Sequence, residues 1–147
     1  MLVPIDGSEP SEDALFFALD LAEKFDSRVK ILNVVADVET PFAPYPTVDS
    51  TTSPIWVEEY LERIEEKNKE MLEKHLEKAR DRNPDLDIST ELKEGRPADI
   101  ILETAEEDDY NLIVMGSRGL GFVEEVVLGS VSREVVEKSK MPVLIVK

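Results

Sequence analysis

Met115-Gly116-Ser117-Arg118-Gly119, followed further along by Gly129-Ser130-Val131-Ser132, has the composition and spacing of a phosphate cradle. The apolar run Leu112 to Met115 leads straight into the first glycine. That predicts a buried strand with the loop at its carboxyl end, where open α/β sheets bind ligands. Gly116 and Gly119 are expected either to take positive φ or to let backbone lie close to a neighbour. Gly129-Ser130 opens a run of helical character, and the free N–H groups at a helix start attract anions. The hydroxyls of Ser130 and Ser132 are expected to add donors.

The elements that must position these residues are legible in the pattern of the chain. Leu2 to Ile5 reads as a first strand ended by Asp6-Gly7-Ser8. A helix follows, capped by Ser8 or Ser11, with Glu9, Glu12 and Asp13 near its positive end and a face of Ala14, Ala18, Leu21, Ala22 and Phe25. Val29 to Val35 is a second strand. Residues 37–54, with four prolines and no periodicity, are expected to form a long flexible loop or lid. Trp56, Tyr60, Ile64, Met71, Leu72, Leu76 and Ala79 mark a helix over 56–82, which Asn83-Pro84 stops. Strands over 88–92, 112–115 and 143–146 and helices over 96–107 and 131–139 complete the pattern. Five strands alternating with helices predict a single α/β domain over 1–147, a doubly wound parallel sheet of Rossmann-like type with helices on both faces.

Composition narrows the function classes. The formal net charge of −16 argues against nucleic acid or an anionic membrane as partner, because both need a basic face. No membrane span and no secretory leader are read in the chain, so it is expected to be cytoplasmic, and the absence of cysteine excludes thiolate metal sites. The same acidity would repel a polyphosphate unless backbone dipoles, Arg118 or a divalent cation compensate locally.

The chain resembles the universal stress proteins, in the subgroup that carries an ATP-binding motif. Gly116, Gly119, Gly129 and Ser130 match the family signature of Gly, two residues, Gly, nine residues, Gly and then Ser or Thr. Val3-Pro4-Ile5-Asp6-Gly7-Ser8 and Met141-Pro142-Val143-Leu144-Ile145-Val146 resemble the family's two ends. The resemblance implies a five-stranded α/β fold that binds ATP between strands one and four and forms a homodimer through its last strand. It puts Asp6 near the nucleoside with Pro4 and Ile5 beside it, Val34 or Val35 in the adenine slot, and Met115 near the sugar or base. Gly116, Arg118, Gly119, Gly129, Ser130, Val131 and Ser132 would hold the phosphates. A carboxylate at Asp6 suits ribose hydroxyls or a cation, Mg²⁺ or Mn²⁺.

Plainer readings stand beside these. Asp6-Gly7-Ser8 is also an ordinary Asx turn at a helix start. Gly95-Arg96-Pro97 reads as a strand end and helix start, His75 as the edge of an apolar stripe, and the acids at 58–59, 65–66 and 106–109 as solvated helix faces. The expected function is an ATP-binding, stress-related regulatory protein acting on an unidentified protein partner; the alternative is a slow Mg-dependent ATP hydrolase or phosphotransferase. A dinucleotide oxidoreductase would carry Gly-x-Gly-x-x-Gly after strand one, and a phosphoreceiver an Asp after strand three, where Lys93-Glu94-Gly95 stands instead.

Overall fold

The computed structural model describes residues 1–36, 55–120 and 128–147, with side chains for all of these except 55–58. The expected lid at 37–54, Gly121 and the Trp56 side chain lie outside the described residues. The strands are β1 (Leu2–Pro4), β2 (Val29–Val35), β3 (Ile88–Glu94), β4 (Ile113–Gly116) and β5 (Val143–Val146). The helices are α1 (Glu9–Phe25), α2 (Ile55–Arg82), α3 (Pro97–Glu107) and α4 (Ser130–Lys138). All strand pairs are parallel, in the order β3-β2-β1-β4-β5. The expected doubly wound architecture is the observed one.

A fully parallel sheet buries both faces, and successive strand residues serve opposite ones. Val3, Ile31 and Val114 pack with Ala14, Leu15, Ala18 and Leu19 of α1 and with Leu72 and Ala79 of α2. Leu2, Leu32, Ile113 and Met115 pack on the other side with Ala98, Ile101 and Ala105 of α3 and with Val135 of α4. The chain order reverses beside β1, so the boundary between β1 and β4 is the topological switch point.

The boundaries shift where local pattern and tertiary packing compete. The buried face of α1 carries Leu15 and Leu19 with Ala14, Ala18 and Ala22, whereas Phe25 is 68% exposed in the final turn. Ser8 occupies the N-cap position of α1 without a side-chain capping bond. β3 runs on to Glu94 because it pairs with β2 as far as Val35. Among its described side chains, the apolar stripe expected along α2 meets the core from about Met71 onward, and Tyr60 is 52% exposed. Length explains this: 28 helical residues span about 42 Å, whereas the seven residues of β2 span about 23 Å. The helix overshoots the sheet that it packs on. His75 is buried, with Nδ1 2.7 Å from the Met71 carbonyl oxygen, a satisfied structural histidine.

Gly95 ends β3 with φ +137, and a Cβ there would lie 2.9 Å from Ile100 Cγ1. Backbone strain and overlap combine at this position. Gly95→Ala is therefore expected to lower unfolding stability by about 2 kcal/mol or more in urea titration. An unchanged midpoint would show that the β3–α3 turn relaxes without cost.

Candidate functional site

β1 leaves the sheet at the switch point, and Asp6 fixes the path of the chain beyond it. Its Oδ1 accepts from the Ser8 backbone N–H at 3.0 Å and from the Ser8 hydroxyl at 2.5 Å, forming an Asx turn. Its Oδ2 accepts from the Leu120 N–H at 2.9 Å. The plain reading of Asp6-Gly7-Ser8 as a turn therefore holds, and the same carboxylate also ties that turn to the loop after β4.

That loop is built by the second half of the glycine pattern. Ser117 N–H donates to the Val146 carbonyl at 2.7 Å, continuing the β4–β5 ladder past Gly116. Gly129 N–H then donates to the Ser117 carbonyl at 2.8 Å. Ser117 thus joins β5 through its N–H and the start of α4 through its carbonyl, which ties the two halves of the glycine pattern together.

The glycines serve different constraints. Positive φ occurs among the described glycines at Gly7 and Gly95, so Gly116 and Gly119 are glycines for close approach. A Cβ at Gly116 would lie 2.6 Å from the Pro10 carbonyl oxygen, where α1 begins. A Cβ at Gly119 would overlap the Asp6 carboxylate. At Gly129 the nearest atom, Arg118 Cα, is 3.5 Å away, an ordinary contact. Packing among the described residues thus dictates Gly116 and Gly119 and leaves Gly129 unexplained.

Gly129 is also the N-cap of α4, with no side-chain cap bond. The N–H groups of Ser130, Val131 and Ser132 belong to the first helical turn, which has no intrahelical acceptors. Ser132 corrects one expectation: its hydroxyl is buried and donates to the Gly116 carbonyl at 2.9 Å. That proton braces β4 and is not offered to a ligand.

Between these loops lies a cavity of about 510 Å³, within the usual size of small-molecule sites. Its apolar lining comes from Pro4, Ile5, Leu32, Val34 and Met115 on the sheet and from Pro97 and Ile101 on α3. Asp6, Gly116, Arg118, Gly119 and the α4 start at Gly129, Ser130, Val131 and Ser132 supply the rest of its expected lining. The fold therefore gathers all twelve residues singled out in the sequence. Val35, weighed beside Val34, does not line the cavity; its carbonyl receives the Gly95 N–H at 3.0 Å.

Sequence reasoning missed Ser11, Leu32, Pro97, Ile101, Leu120, Leu128 and Arg133 in this lining. Leu32 carried a usable signal, since it shares a strand face with Val34. Pro97 and Ile101 gave none, because only the crossover of α3 brings them to β2. Arg133 adds a second arginine to Arg118, and among the described lining residues Asp6 is the one carboxylate in the cavity. Beside it, Arg96 reaches Glu134 at 2.5 Å and joins the start of α3 to α4. Lys138 first, and then Arg96, hold the Glu134 carboxyl below the ordinary range. Among the described residues no group of three or more His, Asp or Glu forms a metal cluster, and no helix is long and apolar enough to cross a membrane.

A parallel sheet with a crevice at its switch point, floored by apolar residues and rimmed by helix N–H groups and arginine, is the arrangement in which doubly wound α/β proteins hold small ligands. The model of the universal stress protein family matches residues 1–147, and the chain belongs to that family. Universal stress protein MJ0531 of Methanocaldococcus jannaschii is 37% identical over 147 residues, covering all of this chain and 81% of the relative. Universal stress protein YxiE of Bacillus subtilis is 37% identical over 150 residues, covering all of this chain and 97% of the relative. A solved universal stress protein in complex with cAMP superposes with a TM-score of 0.66 at 25% identity, over 99% of this chain and 94% of the other.

The three glycines should separate on substitution. Gly116→Ala and Gly119→Ala are each expected to cost about 2 kcal/mol in chemical unfolding, because backbone or the Asp6 carboxylate must shift. Gly129→Ala is expected to stay within about 0.5 kcal/mol of the parent. A large loss at Gly129 would mean that the glycine is required by the fold itself.

Proposed function

We propose that this chain is an ATP-binding regulatory protein of the stress response, in which nucleotide occupancy alters its conformation or its association with a protein partner. The observation that carries the reading is Gly129, a glycine that no contact with the described residues explains, at the start of a helix that lines the cavity. A triphosphate there would receive the N–H groups of Ser130, Val131 and Ser132, with Arg118 and Arg133 supplying charge. The adenine would lie against Val34, Pro97, Ile101 and Met115, and the ribose near Asp6. The cAMP complex of a family member supports an adenine nucleotide as the ligand class. The reading assigns the protein to the cytoplasm.

The donor set fits one divalent cation held jointly with the phosphates. Among the described lining residues Asp6 is the single carboxylate, and its Oδ2 accepts one hydrogen bond from them, that of Leu120, against two at Oδ1, which leaves it acceptor capacity. Magnesium commonly takes one or two carboxylates, phosphate oxygens and several waters. Bound there, it would neutralise phosphate charge.

Gly129→Val would fill the space reserved for the phosphates and is expected to weaken ATP binding at least tenfold, about 1.4 kcal/mol, with the circular dichroism spectrum retained. Unchanged affinity by calorimetry would refute the cradle. ATP is expected to bind far more weakly in excess chelator, and equal affinity there would remove the metal role of Asp6. Mass spectrometry of the bound nucleotide over time separates a switch that retains ATP from an enzyme that hydrolyses it.

The outer edge of β5 supports a homodimer. β5 pairs with β4 along one side, and Val143 to Val146 are all half-buried. Antiparallel pairing with a second copy about a twofold axis would satisfy the free ladder. Replacing Leu144 and Val146 with Lys is expected to shift the light-scattering mass to one chain, 16.6 kDa. A parent protein already at that mass would overturn the interface.

A further inference from the structure

We infer that Asn33 is a positioning residue for this cavity: from the opposite face of the sheet, its amide fixes the Ile5 carbonyl and thereby the turn that carries Asp6. The inference rests on the nucleotide-binding reading for its functional consequence and on the hydrogen-bond geometry for its physical basis.

Asn33 is 3% exposed, in a strand whose neighbours are Ile31, Leu32, Val34 and Val35. Alternation along β2 puts Leu32 and Val34 toward the cavity and Ile31 toward α1 and α2, so Asn33 lies on the latter face. Its Nδ2 donates to the Ile5 carbonyl at 2.8 Å, while its Oδ1 is buried without a hydrogen-bond partner among the described residues. A buried acceptor in that state costs free energy, and an apolar side chain of similar volume would avoid the cost. That side chain would also leave the buried Ile5 carbonyl without its donor, so what asparagine supplies at this position is the bond to Ile5.

Its single bond falls where β1 needs support. β1 has three residues, and the last of them, Pro4, has no N–H to give to the ladder. The next residue, Ile5, donates to the Leu32 carbonyl at 2.8 Å, and its own carbonyl takes the Asn33 amide. Asp6 follows directly, and its carboxylate sets the Ser8 turn and the Leu120 amide. Asn33, Ile5, Asp6 and Leu120 thus form one connected path from the buried side of the sheet to the rim of the cavity. Releasing the Ile5 carbonyl loosens that rim and leaves the hydrophobic layers intact.

The test compares the full-length parent with Asn33→Leu, and with Asn33→Ala in case leucine overpacks the site. Thermal midpoint, residue-resolved amide hydrogen exchange without nucleotide, and ATP calorimetry are measured on each. The expected result is a fold retained in at least one variant, exchange at Leu120 and Ser8 at least tenfold faster with Ile31 unchanged, and ATP affinity at least fivefold weaker. A merely structural role would instead accelerate Ile31 together with Leu120 and Ser8, and that outcome overturns the inference. Unchanged exchange at Leu120 and Ser8 overturns it as well. If the parent fails to bind ATP, the nucleotide reading fails, while the exchange pattern still decides whether Asn33 holds the turn.

Discussion

The Asp6 carboxylate is the constraint on which the rest of the site depends. Three donors from two separate chain segments converge on its two oxygens: the Ser8 N–H and hydroxyl, and the Leu120 N–H. A neutral side chain of the same size would lack the acceptor capacity for all three in that geometry. Because the carboxylate occupies the space beside the second loop, residue 119 has to be glycine. The identity of one residue at the end of β1 thereby dictates another more than a hundred positions along the chain.

The glycine pattern is, in the first place, a folding unit. Ser117 extends the sheet to Val146, Gly129 returns the chain to Ser117, and Ser132 clasps Gly116 from the first turn of α4. These bonds aim the start of α4 across the end of β4. The pressure of α1 on Gly116 removes any room for a side chain there. Contacts within the protein already require glycine at 116 and 119, so the match there carries less functional information than the match at Gly129.

Much of the fold was legible because strand runs and helix periodicities here agree with their burial, and all five strands fall within two residues of their expected limits. The discrepancies have physical sources. Phe25 continues the apolar face of α1 by sequence but sits where the helix outruns its neighbours, and Tyr60 does the same on α2. The twelve cavity residues were legible because motif and family pattern both marked them. Pro97, Ile101 and Arg133 were not, since nothing local to α3 or α4 says which turn of each helix faces β2. Asn33 left a trace that is easily passed over, a polar residue in an apolar strand, whose meaning needs the Ile5 carbonyl beside it.

A net charge of −16 looks incompatible with a polyanionic ligand, yet the two act over different distances. Exposed carboxylates on α1 and α2 are screened over about 8 Å at physiological ionic strength. The first-turn N–H groups of α4 would act at contact, inside a partly enclosed cavity where the effective dielectric is lower and each dipole counts for more. Among the described residues of that same lining, Arg118 and Arg133 stand beside the one carboxylate of Asp6. The acidic exterior then opposes approach more than it opposes residence. A ligand held this way depends on local geometry, and the geometry is set at the Asp6 turn.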